Sequence, residues 1–310
     1  MEDRYISNVA EFLQIVDELA KEYPSNPLVS NPSLPHFIYR GISDKDYDIL
    51  PGIFRTEPDK KDDKKDKENK ENGRRIKNKK YLTYASEEEI LHDFVGEAAA
   101  YKPDIVTSDW LVRAELAQHY GVPTRLLDWT SNPLVSLYFA CASTSNDDGA
   151  IWICHAPNFN RFSRKSISEK SKKIPIKEQA DALITKGKVD FDLMPYPLIY
   201  IPYYSDHRMS AQSSYFMLWG TKLEPLAKMV DESCYMVLSP PEDIWRVYGE
   251  KQEKQFLFKI CIHASEKQKI FRALSRMGIN AKTLFPGLDG IGMHIEKKYR
   301  FDYSEVLPPV

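Results

Sequence analysis

The order of apolar and polar residues predicts helices and strands that follow one another without a regular repeat. Apolar side chains recur at helical spacing from Val9 to Leu19, which predicts an amphipathic helix over residues 7–23. Residues 36–41 combine aromatic and β-branched side chains, and they predict a strand that ends in Arg-Gly. The chain therefore opens with a helix followed by a strand.

Three more helices are predicted in the middle of the chain. Ser86 and Glu89 have the spacing of a capping box, which marks the start of the first. The second covers residues 109–120 and stops where Gly121 and then a proline follow. The third, residues 133–142, is apolar nearly all round, so we expect it at the centre of the fold.

The rest of the chain is predicted to be mostly strands. They are expected at residues 149–154, 198–204, 214–219, 236–238 and 256–262, with a helix at 265–277 and a turn at 285–290. Since there is no regular βαβ alternation, the pattern predicts an α+β fold in which helices flank a mixed or antiparallel central sheet.

Composition narrows the class of protein. The 310 residues are 42% hydrophobic, enough for one large core or two ordinary ones. No segment approaches the roughly 18 apolar residues of a membrane span, and the acidic start has no apolar signal region. We therefore expect a cytoplasmic protein without a membrane partner. The four cysteines have no Cys-x-x-Cys spacing, so we expect reduced core residues and neither disulfides nor zinc.

Charge is concentrated in one segment. Residues 59–80 contain eleven Lys or Arg against six Asp or Glu and have almost no apolar side chains. Such a segment is typical of a solvated loop, although its cations also suit phosphate contacts with a nucleic acid. We treat residues 57–80 as an insertion in one domain at 30–300. Residues 1–29 then form a helical lead-in and residues 301–310 a C-terminal tail.

The run from Gln118 to Thr130 holds the densest group of chemically capable side chains. It includes His, Tyr, Arg and Asp and leads directly into the apolar helix at 133–142. Polar groups beside buried elements need partners or a ligand, so this run predicts one wall of a site. The chain has no Gly-x-Gly-x-x-Gly, phosphate-loop, His-Glu-x-x-His or Gly-x-Ser-x-Gly motif, and no metal site is predicted.

Several of these segments together resemble the FRG domain, which is named for a Phe-Arg-Gly motif. They are Tyr39-Arg40-Gly41, the run 119–130, the helix after Pro133, Ala211-Gln212, and the stretch 278–290. The resemblance spans about residues 30–300. Tyr39 stands in place of the phenylalanine, and Ser213 and Ser214 follow Gln212 where the family pattern contains a glycine.

A more distant resemblance is to the ADP-ribosyltransferases, and it implies a fold of that type with NAD as substrate. It matches an aromatic-Arg-Gly strand end, a Ser/Thr segment before an apolar helix, and a polar residue on a later strand. In that pattern an arginine holds the pyrophosphate, hydroxyls order the ribose and aromatic rings enclose the nicotinamide. The implied NAD contacts are Tyr39, Arg40, Gly41, Tyr120, Arg125, Thr130 and Ser131.

The same resemblance implies a catalytic set of Arg40, His119, Asp128 and Gln212. Gln212 occupies the position of the glutamate and cannot stabilise a cation by charge, so Asp128 is the candidate replacement, with Arg125 or Arg208 as its partner. His119 is the candidate general base. Arg208 and Gln212 would share one strand face. We expect Arg40, His119, Arg125, Asp128 and Gln212 to converge on one cleft. The other candidate acids, Glu87, Glu88 and Glu296, are expected to be surface charges.

Each candidate also has a structural interpretation. In the structural interpretation, Arg40 forms an ion pair with Asp44 or Asp48. Arg125 likewise takes part in an ion pair that stabilises the fold. In the same interpretation, Asp128 caps the helix that follows it, and His119 stabilises the C-terminal end of the helix that it ends. Tyr120 and Trp129 are packing residues with a polar tip.

Two classes of function stay open on these residues. The first is an NAD-dependent, ADP-ribosyltransferase-like effector of a bacterial toxin or of anti-phage defence, acting on a nucleic-acid or protein acceptor. The second is a nucleotide-binding or nucleic-acid-binding module without catalysis, in which Arg40, Arg125 and residues 59–80 hold phosphates. A steep salt dependence of binding, without turnover, would favour the second class.

Overall fold

A computed structural model describes most of the chain. The described residues are 4–23, 34–55, 86–143, 146–170, 191, 194–202, 207–230, 235–237 and 256–299. The charged insertion at 57–80, the tail at 301–310 and part of the lead-in at 1–29 lie outside these ranges. The predicted phosphate contacts of the insertion lie outside them as well.

Eight strands in the described part of the chain form one mixed sheet, with the order β1-β8-β4-β2-β3-β6-β5, and β7 also pairs with β8. The short strands β1 and β7 run parallel to β8, and the other neighbours are antiparallel. The strands are β1 (Tyr5–Ile6), β2 (Phe37–Ile42), β3 (Leu126–Thr130), β4 (Gly149–His155), β5 (Leu198–Tyr200), β6 (Ser214–Leu218), β7 (Tyr235–Val237) and β8 (Leu257–Ile262).

Helices flank this sheet, so the predicted α+β class with a mixed central sheet is confirmed. The helices are α1 (Val9–Glu22), α2 (Glu87–Ala98), α3 (Trp110–His119), α4 (Pro133–Cys141), α5 (Ala156–Lys170), α6 (His207–Ala211), α7 (Leu226–Met229), α8 (Ala264–Arg276), α9 (Ala281–Leu284) and α10 (Leu288–Tyr299). Short 3₁₀ turns lie at Gly52–Phe54 and Pro103–Thr107.

Local capping explains where two of these helices begin. The Asn8 side chain accepts a hydrogen bond from the backbone N–H of Glu11 and so caps α1. Ser86 and Glu89 form the complete capping box that their spacing predicts, and α2 begins at the next residue. The first turn of each helix is therefore specified by its own sequence.

The alternation of side chains along β2 separates two hydrophobic cores. Phe37 and Tyr39 pack in the first core, against α1, α4 and α8, while Ile38 and Ile42 pack in the second core on the opposite face. A third core lies beneath α2 and α3 and contains Leu126 and its neighbours. The sheet is covered on both faces, which explains its nearly continuous apolar strands.

The sheet divides between β2 and β3. These two strands share a single register pair, Tyr39 with Thr130, whereas β2 pairs with β4 over all six of its residues. Beyond that pair β3 pairs instead with β6 through residues 126–130. The two halves of the sheet therefore separate just after Tyr39, and the backbone of β2 from Arg40 onward faces the opening.

Helix α4 covers this junction because Gly41 has no side chain. A Cβ at Gly41 would lie 1.8 Å from the backbone oxygen of Ser136, well inside van der Waals contact. Any larger residue would force the helix away from the strand. The glycine of the Tyr-Arg-Gly motif is thus explained by helix packing.

Several predictions about the secondary structure were wrong. Residues 207–211 form helix α6 rather than the strand on which Arg208 and Gln212 were expected to share a face. The turn predicted at 285–290 is shorter, because α10 begins at Leu288. Helix α5 and the short strand β1 were not predicted. Strand β1 has only two residues, too few to show an alternation of apolar and polar side chains.

Two findings concern the expected cellular setting. Within the described ranges, no helix is both apolar enough and long enough to cross a membrane. Cys141, Cys154 and Cys261 are buried free thiols, as expected, and Cys234 lies outside the described residues.

Candidate functional site

A cleft of about 250 Å³ opens where β2 and β3 separate. Strands β2, β3 and β6 form its floor, and helices α3, α4 and α6 form its walls. Its lining residues are Tyr39, Arg40, Gly41, Glu115, Gln118, His119, Asp128, Trp129, Thr130, Val135, Ser136, Phe139, Arg208, Met209, Gln212, Ser214 and Phe216.

Arg40 bridges the gap between the two halves of the sheet. Its Nη1 donates a hydrogen bond to the backbone oxygen of Asp128, where a strand-to-strand hydrogen bond would otherwise be expected. Desolvation lowers the pKa of Arg40 to about 10, the charge of Asp128 opposes that shift, and the charge of Arg55 adds to it. Arg40 therefore stays cationic at neutral pH, with one hydrogen bond to protein among the described residues and its other N–H donors uncommitted.

Asp128 is an exposed carboxylate held in a fixed position. It lies on β3, and its Oδ2 accepts a hydrogen bond of 3.1 Å from Nε2 of Gln118. Gln118 is held in turn, because its Oε1 accepts from the hydroxyl of Thr124 at 2.7 Å and its Nε2 also contacts the backbone oxygen of Leu126. This chain of hydrogen bonds presents the carboxylate to the cleft without neutralising it.

Glu115 is the buried acid of the cleft. It lies on α3 one turn before Gln118 and His119 and is 2% exposed, yet neither carboxyl oxygen has a hydrogen-bond partner among the described residues. Desolvation raises the pKa of Glu115 to about 8, and the nearby Tyr200 hydroxyl lowers it in part. The Tyr200 hydroxyl lies beside the carboxyl and interacts with it, although neither carboxyl oxygen nor the hydroxyl meets hydrogen-bond geometry with any described residue. The carboxyl is therefore mostly neutral at pH 7.

The opposite wall is fixed by residues far along the chain. The guanidinium of Arg208 lies 4.6 Å from the centre of the Phe285 ring. Nε2 of Gln212 donates to the backbone oxygen of Leu284 at 3.0 Å. Leu284 and Phe285, at the end of α9 and in the stretch that contributed to the family resemblance, therefore support the wall that carries Arg208 and Gln212.

Two hydroxyl groups that line the cleft are already engaged by the backbone. Oγ1 of Thr130 donates to the backbone oxygen of Gln212 at 2.6 Å and accepts from the N–H of Asn132. The Ser136 hydroxyl donates to the backbone oxygen of Pro133. These contacts fasten the walls of the cleft together, so the ribose contact implied for Thr130 competes with a structural one.

The turn after Gln212 explains the departure from the family pattern. Ser213 has a φ of 48° and is the described non-glycine residue with left-handed backbone conformation. Glycine adopts that conformation at no steric cost, which accounts for the glycine expected here. The chain keeps the turn with serine in its place.

Arg125 lies outside the cleft and belongs to a structural ion pair. Its backbone N–H donates to Oε1 of Glu87 at 2.8 Å, and its Nε donates to Oε2 of the same carboxylate. The guanidinium also lies 3.7 Å from the centre of the Phe191 ring. Glu87 is buried rather than a surface charge, so the expectation for that residue was wrong.

The structure brings together most of the predicted site residues. Arg40, His119, Asp128 and Gln212 line one cleft, as do Tyr39, Gly41 and Thr130. Arg125, Tyr120 and Ser131 do not line it. Arg125 pairs with Glu87 and not with Asp128, whose carboxylate accepts from Gln118 and acts by charge on Arg40 and Arg55. Asp128 is not a helix cap either, since Asn132 caps α4.

Glu115 was missed as a site residue, and Gln118 lay in the predicted run but was given no role. The buried residues of α3 are Leu111, Ala114, Glu115 and Ala117. A carboxyl four residues after Leu111 and four before His119 was the available signal.

The chemistry of the cleft is that of hydrogen bonding and charge. Among the residues the structure describes, no three His, Cys, Asp or Glu side chains lie close enough together to hold a metal ion. The lining instead offers two arginines, one exposed carboxylate, one neutral acid and several aromatic rings. Such a set suits a ligand that carries both an anionic group and an aromatic or amide group.

Residues 35–149 match the FRG domain, which confirms the family resemblance for that part of the chain. The match contains β2, α3, β3 and α4, and therefore Arg40, Glu115 and Asp128. Arg208 and Gln212 lie beyond it. No curated protein and no solved structure matches the chain.

Proposed function

We propose that this FRG-domain protein binds NAD in the cleft and transfers its ADP-ribose to an acceptor, as ADP-ribosyltransferases do. The observation that carries the proposal is the position of Arg40 beside the fixed carboxylate of Asp128, since among the described residues Arg40 donates only to the Asp128 backbone and keeps further N–H donors for a ligand. The buried carboxyl oxygens of Glu115 in the same cleft have no hydrogen-bond partner among the residues that the structure describes, and they support the presence of a polar ligand.

Arg40 is the proposed phosphate-binding group. A guanidinium presents several donors in one plane and binds phosphate oxygens through paired hydrogen bonds, which a lysine cannot reproduce. Because Nη1 is anchored to the backbone of Asp128, the remaining donors are held in a fixed direction. Arg208, on the facing wall, adds positive charge to the same cleft.

Asp128 is the proposed stabiliser of positive charge. Departure of nicotinamide takes the electrons of its bond to ribose C1′ and leaves positive charge on the ribose. A carboxylate held nearby stabilises that charge, and Gln118 keeps Asp128 in place without protonating it. Gln212 has no charge and its amide nitrogen is engaged by Leu284, so it is assigned a structural part in this scheme.

His119 is the proposed general base. It ends α3, lines the cleft, and is one turn from Glu115. An acceptor hydroxyl that attacks C1′ must lose a proton, and a neutral imidazole can accept it. The effector roles in a bacterial toxin or in anti-phage defence are part of the same proposal, because loss of NAD or modification of a cellular acceptor would harm the cell.

The size of the cleft limits how much of the ligand it encloses. Its volume of about 250 Å³ is near the lower end for small-molecule sites, which hold roughly 300–1,000 Å³. We therefore place the nicotinamide and its ribose inside, and the adenosine half toward the opening.

The experiment is to incubate the protein with NAD labelled separately in nicotinamide and adenine, with and without cell extract. The proposal predicts release of labelled nicotinamide by the wild type and a large loss for Arg40→Ala. Arg276→Ala, at an exposed position on α8, should behave as wild type. Binding of nucleotides or nucleic acid that weakens steeply with salt, with no nicotinamide released from any mixture, would instead support the non-catalytic module.

A further inference from the structure

Glu115 differs from the other buried or half-buried acids that the structure describes. The Glu87 carboxylate accepts hydrogen bonds from Arg125, and the Asp148 carboxylate accepts from the Tyr5 hydroxyl and from the N–H of Ala264. Both carboxyl oxygens of Glu115 are buried without a hydrogen-bond partner in the described part of the chain. A polar group in that state costs folding free energy unless a ligand completes its hydrogen bonds.

The surroundings of Glu115 favour its uncharged form. The Tyr200 hydroxyl on β5 lies beside it, also buried and without a hydrogen-bond partner among the described residues, and its pKa is raised well above the ordinary value by burial first and then by Glu115. Asp128 on β3 adds a negative charge to the same group. Cations share the cleft, with Arg208 on α6 and Arg40 on β2, but neither forms an ion pair with Glu115 in the described structure.

We propose that Glu115, as a neutral carboxylic acid, is a specificity-determining residue that recognises a primary carboxamide and discriminates against the corresponding carboxylate. The proposal rests on the proposed function, in which the carboxamide is that of nicotinamide.

The hydrogen-bonding groups are complementary. A neutral carboxyl has one O–H donor and one carbonyl acceptor side by side, and a primary amide has the same two groups in the opposite order. The two can therefore form a pair of parallel hydrogen bonds. A carboxylate ligand offers only acceptors, so the carbonyl oxygen of Glu115 would face another oxygen, and a second negative charge would enter a cleft that already contains Asp128.

The binding test uses free nicotinamide and free nicotinic acid, titrated calorimetrically into the full chain at pH 6.5 and pH 9.5. We expect nicotinamide to bind at least about tenfold more tightly than nicotinic acid at pH 6.5, because a site built to hydrogen-bond a group rejects the analogue without it. We expect nicotinamide affinity to fall about tenfold or more by pH 9.5, since Glu115, with a pKa of about 8, loses its donor proton.

Variants separate this acid from other titrating groups. Glu115→Gln keeps one donor and one acceptor but does not titrate, so it should bind nicotinamide within a few-fold of wild type at pH 6.5 and lose the pH dependence. The matched control is Glu97→Gln, at an exposed position on α2, which should keep the wild-type pH profile. The comparison of the two ligands on the wild type needs no variant, so a folding defect in Glu115→Gln would leave the proposal testable.

The outcomes distinguish this inference from the proposed function. Nicotinamide binding that prefers the amide and depends on Glu115, with no cleavage of NAD, would support the inference and contradict the transferase. Cleavage of NAD combined with equal affinity for the two ligands, or with the same pH profile in wild type and Glu115→Gln, would overturn the inference and leave the transferase standing. Absence of nicotinamide binding would overturn it as well.

Discussion

Two arginines of this chain lie in contrasting surroundings. Arg125 is paired with a buried carboxylate, because Glu87 accepts from both its backbone N–H and its Nε while the Phe191 ring stacks on its guanidinium. Arg40 donates one hydrogen bond to a backbone oxygen and has an exposed carboxylate as its nearest opposite charge. A charge satisfied within the protein stabilises the fold, whereas a charge left partly unsatisfied at a cleft is available to a ligand.

The difference arises from the partner and not from the local sequence. Both arginines lie at or beside a strand and both were interpreted as anion-binding residues. The partner of Arg125 is Glu87, 38 positions earlier in the chain, in the first turn of α2. Spacing within the motif holds no information about that contact, so the sequence alone could not separate the two roles.

The largest effect on the free energy of unfolding is expected when the ion pair between Glu87 and Arg125 is broken. Glu87→Gln should lower the free energy of unfolding by about 3 kcal/mol, because it leaves the guanidinium of Arg125 partly buried without an opposite charge. Thermal and urea unfolding would measure it. The neighbouring exposed residue gives the matched control, and Glu88→Gln should change stability little. Equal effects of the two substitutions would remove the structural role assigned to Arg125.

The next largest effect is expected on nicotinamide release, when Asp128 in the cleft loses its charge. Asp128→Asn should lower nicotinamide release on the order of 100-fold while changing stability by less than about 1 kcal/mol, since the exposed side chain loses charge but keeps a group that can accept from Gln118. Asp93→Asn, at an exposed position on α2, should leave release unchanged. Steady-state release assays beside thermal melts would check both values. Unchanged release in Asp128→Asn would exclude the charge-stabilising role.

A smaller effect on stability is expected from replacing Glu115, and this effect depends on pH. Glu115 has a folded-state pKa of about 8 against an ordinary 4.5, so from pH 4.5 to 8 the unfolded chain ionises while the folded chain stays protonated. The folded state therefore loses stability as pH rises through that window, by up to about 1.4 kcal/mol per pH unit. Glu115→Gln should be more stable than wild type by about 2 kcal/mol at pH 9, where part of the penalty is relieved by relaxation, and nearly equal to it at pH 4.5. A stability difference independent of pH would contradict the raised pKa.

The smallest effect is expected at the turn behind Gln212. Ser213→Gly should raise the free energy of unfolding by about 0.5 kcal/mol, because a φ of 48° suits glycine better than serine. The control is Ser210→Gly in the adjoining helix α6, which should lower stability by up to about 1 kcal/mol. Urea titration of the two variants measures both signs. A destabilised Ser213→Gly would mean that its side chain, and not its backbone, fixes the turn.

Much of the fold was predictable because its elements carry local signals. The capping box at Ser86, the glycine after α3 and the apolar length of α4 each mark an element directly. Helix α6 was mistaken for a strand, since five residues are too few to show helical periodicity. Only some of the residues that line the cleft could be predicted from the sequence. Arg40 and Asp128 were found through the motif, whereas Glu115 became apparent only when its burial was known.

In the proposed assignment Arg40 binds the ligand and Arg125 stabilises the fold, and a crossed pair of lysine substitutions separates the two roles. Nicotinamide release and thermal stability are measured for Arg40→Lys and Arg125→Lys at a temperature where both variants are folded. Lysine keeps the charge but not the fork of donors. We expect Arg40→Lys to lose nicotinamide release at least about tenfold with little change in stability, and Arg125→Lys to melt several degrees lower with release within about twofold of wild type. Full release in Arg40→Lys, or an equal loss of release in the two variants, would contradict it.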